Sequence, residues 1–193
     1  MAQDRRYARL KHAHPGWRDI IGPVDIPSTG SNKPTLTTVG SGPFKLWAFG
    51  VGNMAQFIFH VPHDFDPSTD WYIHTHWKPS GTDANAVVWQ WTYSYAKSHD
   101  QEAFDPNGTV ISGTQDINAT PEAYRHYTTE SDPISVDISE PDGLIIVNVE
   151  RITNGTTPPG SNENGDDILM LTTDIHYWST GVPTPNKEPN FYV

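Results

Sequence analysis

Two histidines stand two residues apart in the stretch Trp71-Tyr72-Ile73-His74-Thr75-His76-Trp77. Side chains alternate faces along an extended chain, so His74 and His76 share one face and both imidazoles can reach a single divalent cation. His126 and His176 each fall inside another strand-like run and are the histidines that could complete such a site. The residues that follow, Trp77-Lys78-Pro79-Ser80-Gly81, supply no acid. The expectation is therefore that these imidazoles are structural, hydrogen-bonded on a polar sheet face or at a subunit contact. No metal or other cofactor is expected, and His74 and His76 stand as the metal candidates.

Other chemistries leave weaker marks. Cupins carry a comparable histidine pair within a jelly roll, but their pattern continues with an acid a few residues on, which is missing here. Glycoside hydrolysis needs two acids about 5–9 Å apart across a cleft. Most acids sit in turn-like sequence, at Asp64, Asp66, Asp70, Asp105, Asp142, Asp166 and Asp167, where they cap turns; Glu150 and Asp174 are the mid-strand exceptions. The spacing of the loop acids matches no EF-hand. There is no Gly-rich phosphate loop ending in Lys-Ser/Thr, no Gly-x-Ser-x-Gly elbow and no His-Glu-x-x-His. The chain reads as a protein that is not an enzyme.

Its 193 residues suit one domain with a sizeable core. The absence of Cys excludes disulfide frameworks, thiolate metal sites and thiol catalysis. A net charge of −11 argues against nucleic acid as a partner, because phosphate recognition runs on clustered Lys and Arg. No apolar run approaches the roughly 18 residues a membrane span requires, and the start has no apolar core of a secretory signal. Synthesis in a cytoplasm and no membrane partner are expected.

Charge and breakers divide the chain. Residues 1–18 hold Arg5, Arg6, Arg9, Lys11 and Arg18 against Asp4, a net of 5 − 1 = +4. Residues 2–13 suit a short helix ending before Pro15-Gly16, and 22–43 carry four prolines and several glycines, which favour extended chain. Residues 1–43 are thus expected to form a basic N-terminal arm, 44–178 the folded domain, and 179–193 a Pro-rich tail ending Asn190-Phe191-Tyr192-Val193. A neighbouring subunit is the expected holder of these arms, and a self-wrapped arm is the alternative. Arg5, Arg6, Tyr7, Arg9, Lys11, Trp17, Arg18, Phe191 and Tyr192 are the predicted interface residues.

Between the arms the hydrophobic period is two and the residues are β-branched and aromatic. Eight strands are predicted: 44–49, 56–61, 71–77, 86–95, 124–129, 134–138, 144–151 and 168–178. The clearest puts Val87, Trp89, Trp91, Tyr93 and Tyr95 on one face and Val88, Gln90, Thr92 and Ser94 on the other. Such a face is a core between sheets, a sugar platform or a protein anchor. Turn chemistry at Pro79-Ser80-Gly81, Asp105-Pro106-Asn107-Gly108 and Glu140-Pro141-Asp142-Gly143 separates the strands. The long segment 98–121 is read as a crossing between sheets. The predicted fold is an all-β, eight-stranded antiparallel jelly-roll sandwich, with an immunoglobulin-like sandwich as the alternative.

Phe57-Ile58-Phe59-His60-Val61-Pro62-His63-Asp64-Phe65, then Trp71–Trp77, Trp89-Gln90-Trp91-Thr92-Tyr93-Ser94-Tyr95-Ala96-Lys97, Gln101-Glu102-Ala103-Phe104 and Pro141-Asp142-Gly143-Leu144-Ile145 follow in order. In these phrases the chain resembles structural proteins of tailed bacteriophage virions, over most of residues 56–178. The resemblance implies a head decoration or cement protein on the outer capsid surface, a homotrimer whose partner is the major capsid protein. A tail- or collar-associated glycan-binding adhesin and a cupin-like metalloenzyme are the competing readings.

Overall fold

The computed structural model describes residues 14–26, 30–117, 120–135, 137–155 and 163–192. Among these there is no helix, and they form eleven strands. They are β1 (Gly16–Ile21), β2 (Val24–Asp25), β3 (Thr35–Thr38), β4 (Lys45–Phe49), β5 (Met54–His60), β6 (Tyr72–Pro79), β7 (Val87–Ala96), β8 (Thr109–Gln115), β9 (Tyr127–Glu130), β10 (Leu144–Ile152) and β11 (Ile168–Ser179). One sheet runs β3-β4-β11-β6-β9, with β1 also on β11, and the other runs β2-β5-β10-β7-β8. All pairings are antiparallel. Numbered from β4, the eight principal strands have the order first-eighth-third-sixth in one sheet and second-seventh-fourth-fifth in the other. That is jelly-roll connectivity, as expected from the eight-strand pattern.

Three expectations need correction. Residues 134–138 are not a strand. Ile134 and Ile138 are buried as their alternation suggests, but the segment crosses the sandwich end, where the Ile134 amide bonds the Trp71 carbonyl and the Ser135 amide bonds the Tyr93 hydroxyl. The missing strand is β8, inside the segment read as a crossing. None of its residues is fully buried, so it carries no hydrophobic signature. Its Gly113 is required by close approach: a Cβ there would lie 2.5 Å from the Glu130 carbonyl oxygen and 3.0 Å from the Trp91 ring. Finally, the sandwich begins at Gly16 and not at Phe44. β1, β2 and β3 add to sheet edges, where proline-interrupted sequence can pair on one side. The predicted helix at 2–13 lies outside the described residues.

The core is aromatic because the alternation of β7 turns its large residues inward. Trp89, Trp91, Tyr93, Phe57, Phe59, Trp77 and Ile145 are all buried between the sheets. Each such side chain contributes on the order of 2–3 kcal/mol by leaving water. A column of threonines satisfies two of the indoles: Trp91 Nε1 donates to Thr75 Oγ1 and Trp77 Nε1 to Thr129 Oγ1, each at 2.9 Å. Thr75 and Thr173 also bond each other across β6 and β11, at 3.1 Å. These inward threonines lock the register of the strands whose outward residues form the site below.

Candidate functional site

His74 and His76 occupy outward positions of β6, as their spacing predicts. Register then brings acids to them. Glu130 on β9 and Asp174 on β11 both lie directly opposite His74, so a row Glu130–His74–Asp174 crosses three strands. Between Met170 and Thr172 the pairing shifts, a β-bulge that carries Asp174 into that row. His74 Nε2 is 2.6 Å from Glu130 Oε2 and its Nδ1 is 3.6 Å from Asp174 Oδ1. His76 Nε2 is 2.9 Å from Asp174 Oδ2, and its Nδ1 is 2.9 Å from His126 Nε2 and 3.1 Å from Thr128 Oγ1. The hydrogen bond that His76 donates to Asp174 is the main reason its imidazole is shifted upward, against the opposing effect of burial.

The ligand atoms of His74, His76 and Asp174 all lie within 4.8 Å of one another, as do those of His74, Glu130 and His176. These two groups are the candidate metal-holding sets among the described residues. His176 bonds Asp19 of β1 at 3.0 Å. Beside it Trp17, Tyr72, Glu130 and His176 line a surface cleft of about 320 Å³. Asp174 could be seen in the sequence as a mid-strand acid; its place opposite His74 is a matter of register, which no local pattern reveals. Glu130 left no signal at all.

The predicted interface residues divide. Arg5, Arg6, Tyr7, Arg9 and Lys11 lie outside the described residues. Trp17 is half exposed on β1, with its ring packed on Tyr72, His176 and Trp178. Arg18 is committed to its own domain through Asp64, at 2.8 Å. Asp64 also accepts from Ser179 and from Tyr177, whose phenol burial, and then this carboxylate, push up to about 12. Tyr192 is exposed, but Phe191 is not a free tip: it is buried against the rings of His63 and His99. Those two histidines and His60 surround Asp142, with His63 Nε2 at 3.0 Å, His60 Nε2 at 3.3 Å and His99 Nε2 at 3.4 Å from its oxygens. The other nitrogen of His63 bonds Thr184 of the tail.

One flank of the sandwich carries large apolar side chains in water. β1 and β3 edge one sheet there and β2 the other. Trp17, Ile21, Val24 and Leu36 on these strands, and Phe44 just before β4, are all exposed, with Ile21 and Phe44 at 72%. Trp89 and Trp91 are fully buried and offer no platform to a sugar.

No family model matches the chain, and no curated protein matches it. Solved structures match it only at low similarity. A Paenibacillus sp. cycloisomaltooligosaccharide glucanotransferase is 10% identical over 87% of this chain, with a TM-score of 0.31, and the match spans only 18% of that enzyme. The Eiger TNF of S. frugiperda is 11% identical over 91% of this chain and 96% of its own, with a TM-score of 0.31. Protein SO2946 of Shewanella oneidensis MR-1, of unknown function, is 9% identical over 96% of this chain and 97% of its own, with a TM-score of 0.29. Likeness at this level carries no functional argument.

Proposed function

We propose that this chain is a non-enzymatic structural protein of a virion, a decoration or cement protein that sits on the outer capsid surface and bridges subunits of the major capsid protein as a homotrimer. The observation that supports this reading is the apolar flank of β1, β2 and β3. Large aliphatic and aromatic side chains left in water, beside strand edges that pair with no further strand among the described residues, are the features that partner chains cover. Pairing of β1 with β11 holds this flank rigid before any partner arrives, so docking there orders little chain and loses little entropy. The sequence resemblance to tailed-phage virion proteins points to the same class. Closed symmetry suits the role, since a trimer matches a local threefold point of an icosahedral shell.

Light scattering on the purified full chain tests the assembly part of this reading. The expected mass is three times the 21.5 kDa of the chain. A monomer at all workable concentrations would remove the trimer from the proposal.

A further inference from the structure

We infer that His74, His76 and Asp174 form a binding site for one divalent transition-metal ion of the zinc class, on the outer face of the sheet that contains β6 and β11. The inference stands apart from any capsid partner, because it rests on this one face of the isolated chain.

The first observation is an orphan oxygen. Asp174 is 5% exposed, and its Oδ1 makes no hydrogen bond. A buried carboxylate oxygen without a partner is costly. His74 Nδ1 lies 3.6 Å from it.

The second is the placing of the imidazoles around that carboxylate. Glu130 Oε2 lies 2.6 Å from His74 Nε2, a contact in which the imidazole donates. The other ring nitrogen, Nδ1, faces Asp174 Oδ1. Ligand atoms of His74, His76 and Asp174 thus converge to within 4.8 Å of one another, close enough for one cation to take all three. Tetrahedral zinc with Zn–N near 2.0–2.1 Å separates its ligand atoms by about 3.3 Å; His74 Nδ1 is 3.6 Å from Asp174 Oδ1 and His76 Nε2 is 2.9 Å from the other carboxylate oxygen, Oδ2, spacings that small side-chain rotations bring to this value.

The third is that the outer supports are already in place. Metal-bound histidines usually donate their other nitrogen to a carboxylate or another fixed acceptor, which orients the ring. His74 does so to Glu130, and His76 Nδ1 has His126 Nε2 and Thr128 Oγ1 within reach. Both imidazoles and the carboxylate stand on neighbouring strands whose inward threonines are bonded together, so the three ligands are held without an ion. The other candidate set, His74 with Glu130 and His176, is less suited: Glu130 is exposed and His176 is engaged by Asp19. Three protein ligands leave a fourth position toward solvent, on the side of the partly exposed His76.

The test is titration calorimetry of the full chain, dialysed against chelator, with Zn²⁺ alone, alongside the visible absorption of the Co²⁺ form. The expected result is one equivalent of Zn²⁺ per chain and a tetrahedral Co²⁺ spectrum. His76→Gln should abolish stoichiometric binding. Glu130→Gln, which alters only an exposed side chain and leaves the ligands in place, should weaken binding by about 10–100-fold. Asp174→Asn is buried and is used only if its metal-free circular dichroism matches that of the parent. No saturable Zn²⁺ binding by the parent, or binding that His76→Gln and Glu130→Gln leave unchanged, would overturn the site.

Discussion

Asp142 shows how a single carboxylate serves several parts of the chain. It occupies the left-handed region, with a φ of 66°, in the turn that Glu140-Pro141-Asp142-Gly143 predicts, and it faces three histidines. Burial works to raise its carboxyl, but the hydrogen bond from His99 and the proximity of His63 and His60 together hold it below the usual carboxylate range. A carboxyl that titrates lower in the folded chain than in the unfolded one stabilises the fold above its ordinary pKa, and that contribution fades as pH falls through the folded value. Asp142→Asn is therefore expected to be less stable than the parent at pH 7, and the gap should close below a pH of about 4. Urea melts of both proteins across this range check it; a gap independent of pH would assign the effect to turn geometry and not to charge. Arg151 is buried. Its guanidinium donates to the carbonyls of Phe49 and Asn164, which fastens the loop before β11 to the end of β4.

At the scale of elements, the tail is the part whose placement departs most from sequence expectation. The prolines after Ser179 argue for a loose strap, yet Thr180 and Thr184 bond the 63–64 loop and Phe191 closes over His63 and His99. Phe191→Ala should cost about 3 kcal/mol, the low end for a buried Phe, and should raise amide exchange across residues 180–192 while β6 and β7 stay protected. Unchanged exchange in the tail would mean that the backbone bonds alone hold it. Much of the fold was legible in residue order. Seven of the eight predicted strands coincide with observed ones because alternation of large apolar residues survives wherever a strand lines the core, as in β5, β7 and β10. β8 escaped because an edge strand with Gly113 at a close approach has nothing large to alternate, and Ile134 with Ile138 imitated a strand because two buried residues four apart can also belong to a crossing. The site was half legible. The shared face of His74 and His76 follows from spacing alone, whereas Asp174 and Glu130 reach them through cross-strand register and a bulge.

At the scale of the molecule, the two sheet faces and the two flanks divide the work. The inward faces hold an aromatic core in which the indoles of Trp77 and Trp91 bond threonines. The outer face of the β6–β11 sheet gathers histidines and acids, and the flank of β1, β2 and β3 presents apolar residues on the edge strands. The proposed decoration role rests on that flank, and its most direct test is occupancy on capsid shells. Full-length chain and the double variant Ile21→Asp/Phe44→Asp would be mixed with shells of the cognate virion that lack this protein, then sedimented and quantified. Both substitutions fall on side chains that are 72% exposed, so the sandwich itself is expected to tolerate them. The account predicts saturable binding of the parent at a fixed ratio to the major capsid protein, with occupancy of the variant reduced at least tenfold. Equal occupancy by the variant, or no association of the parent with shells, would contradict it.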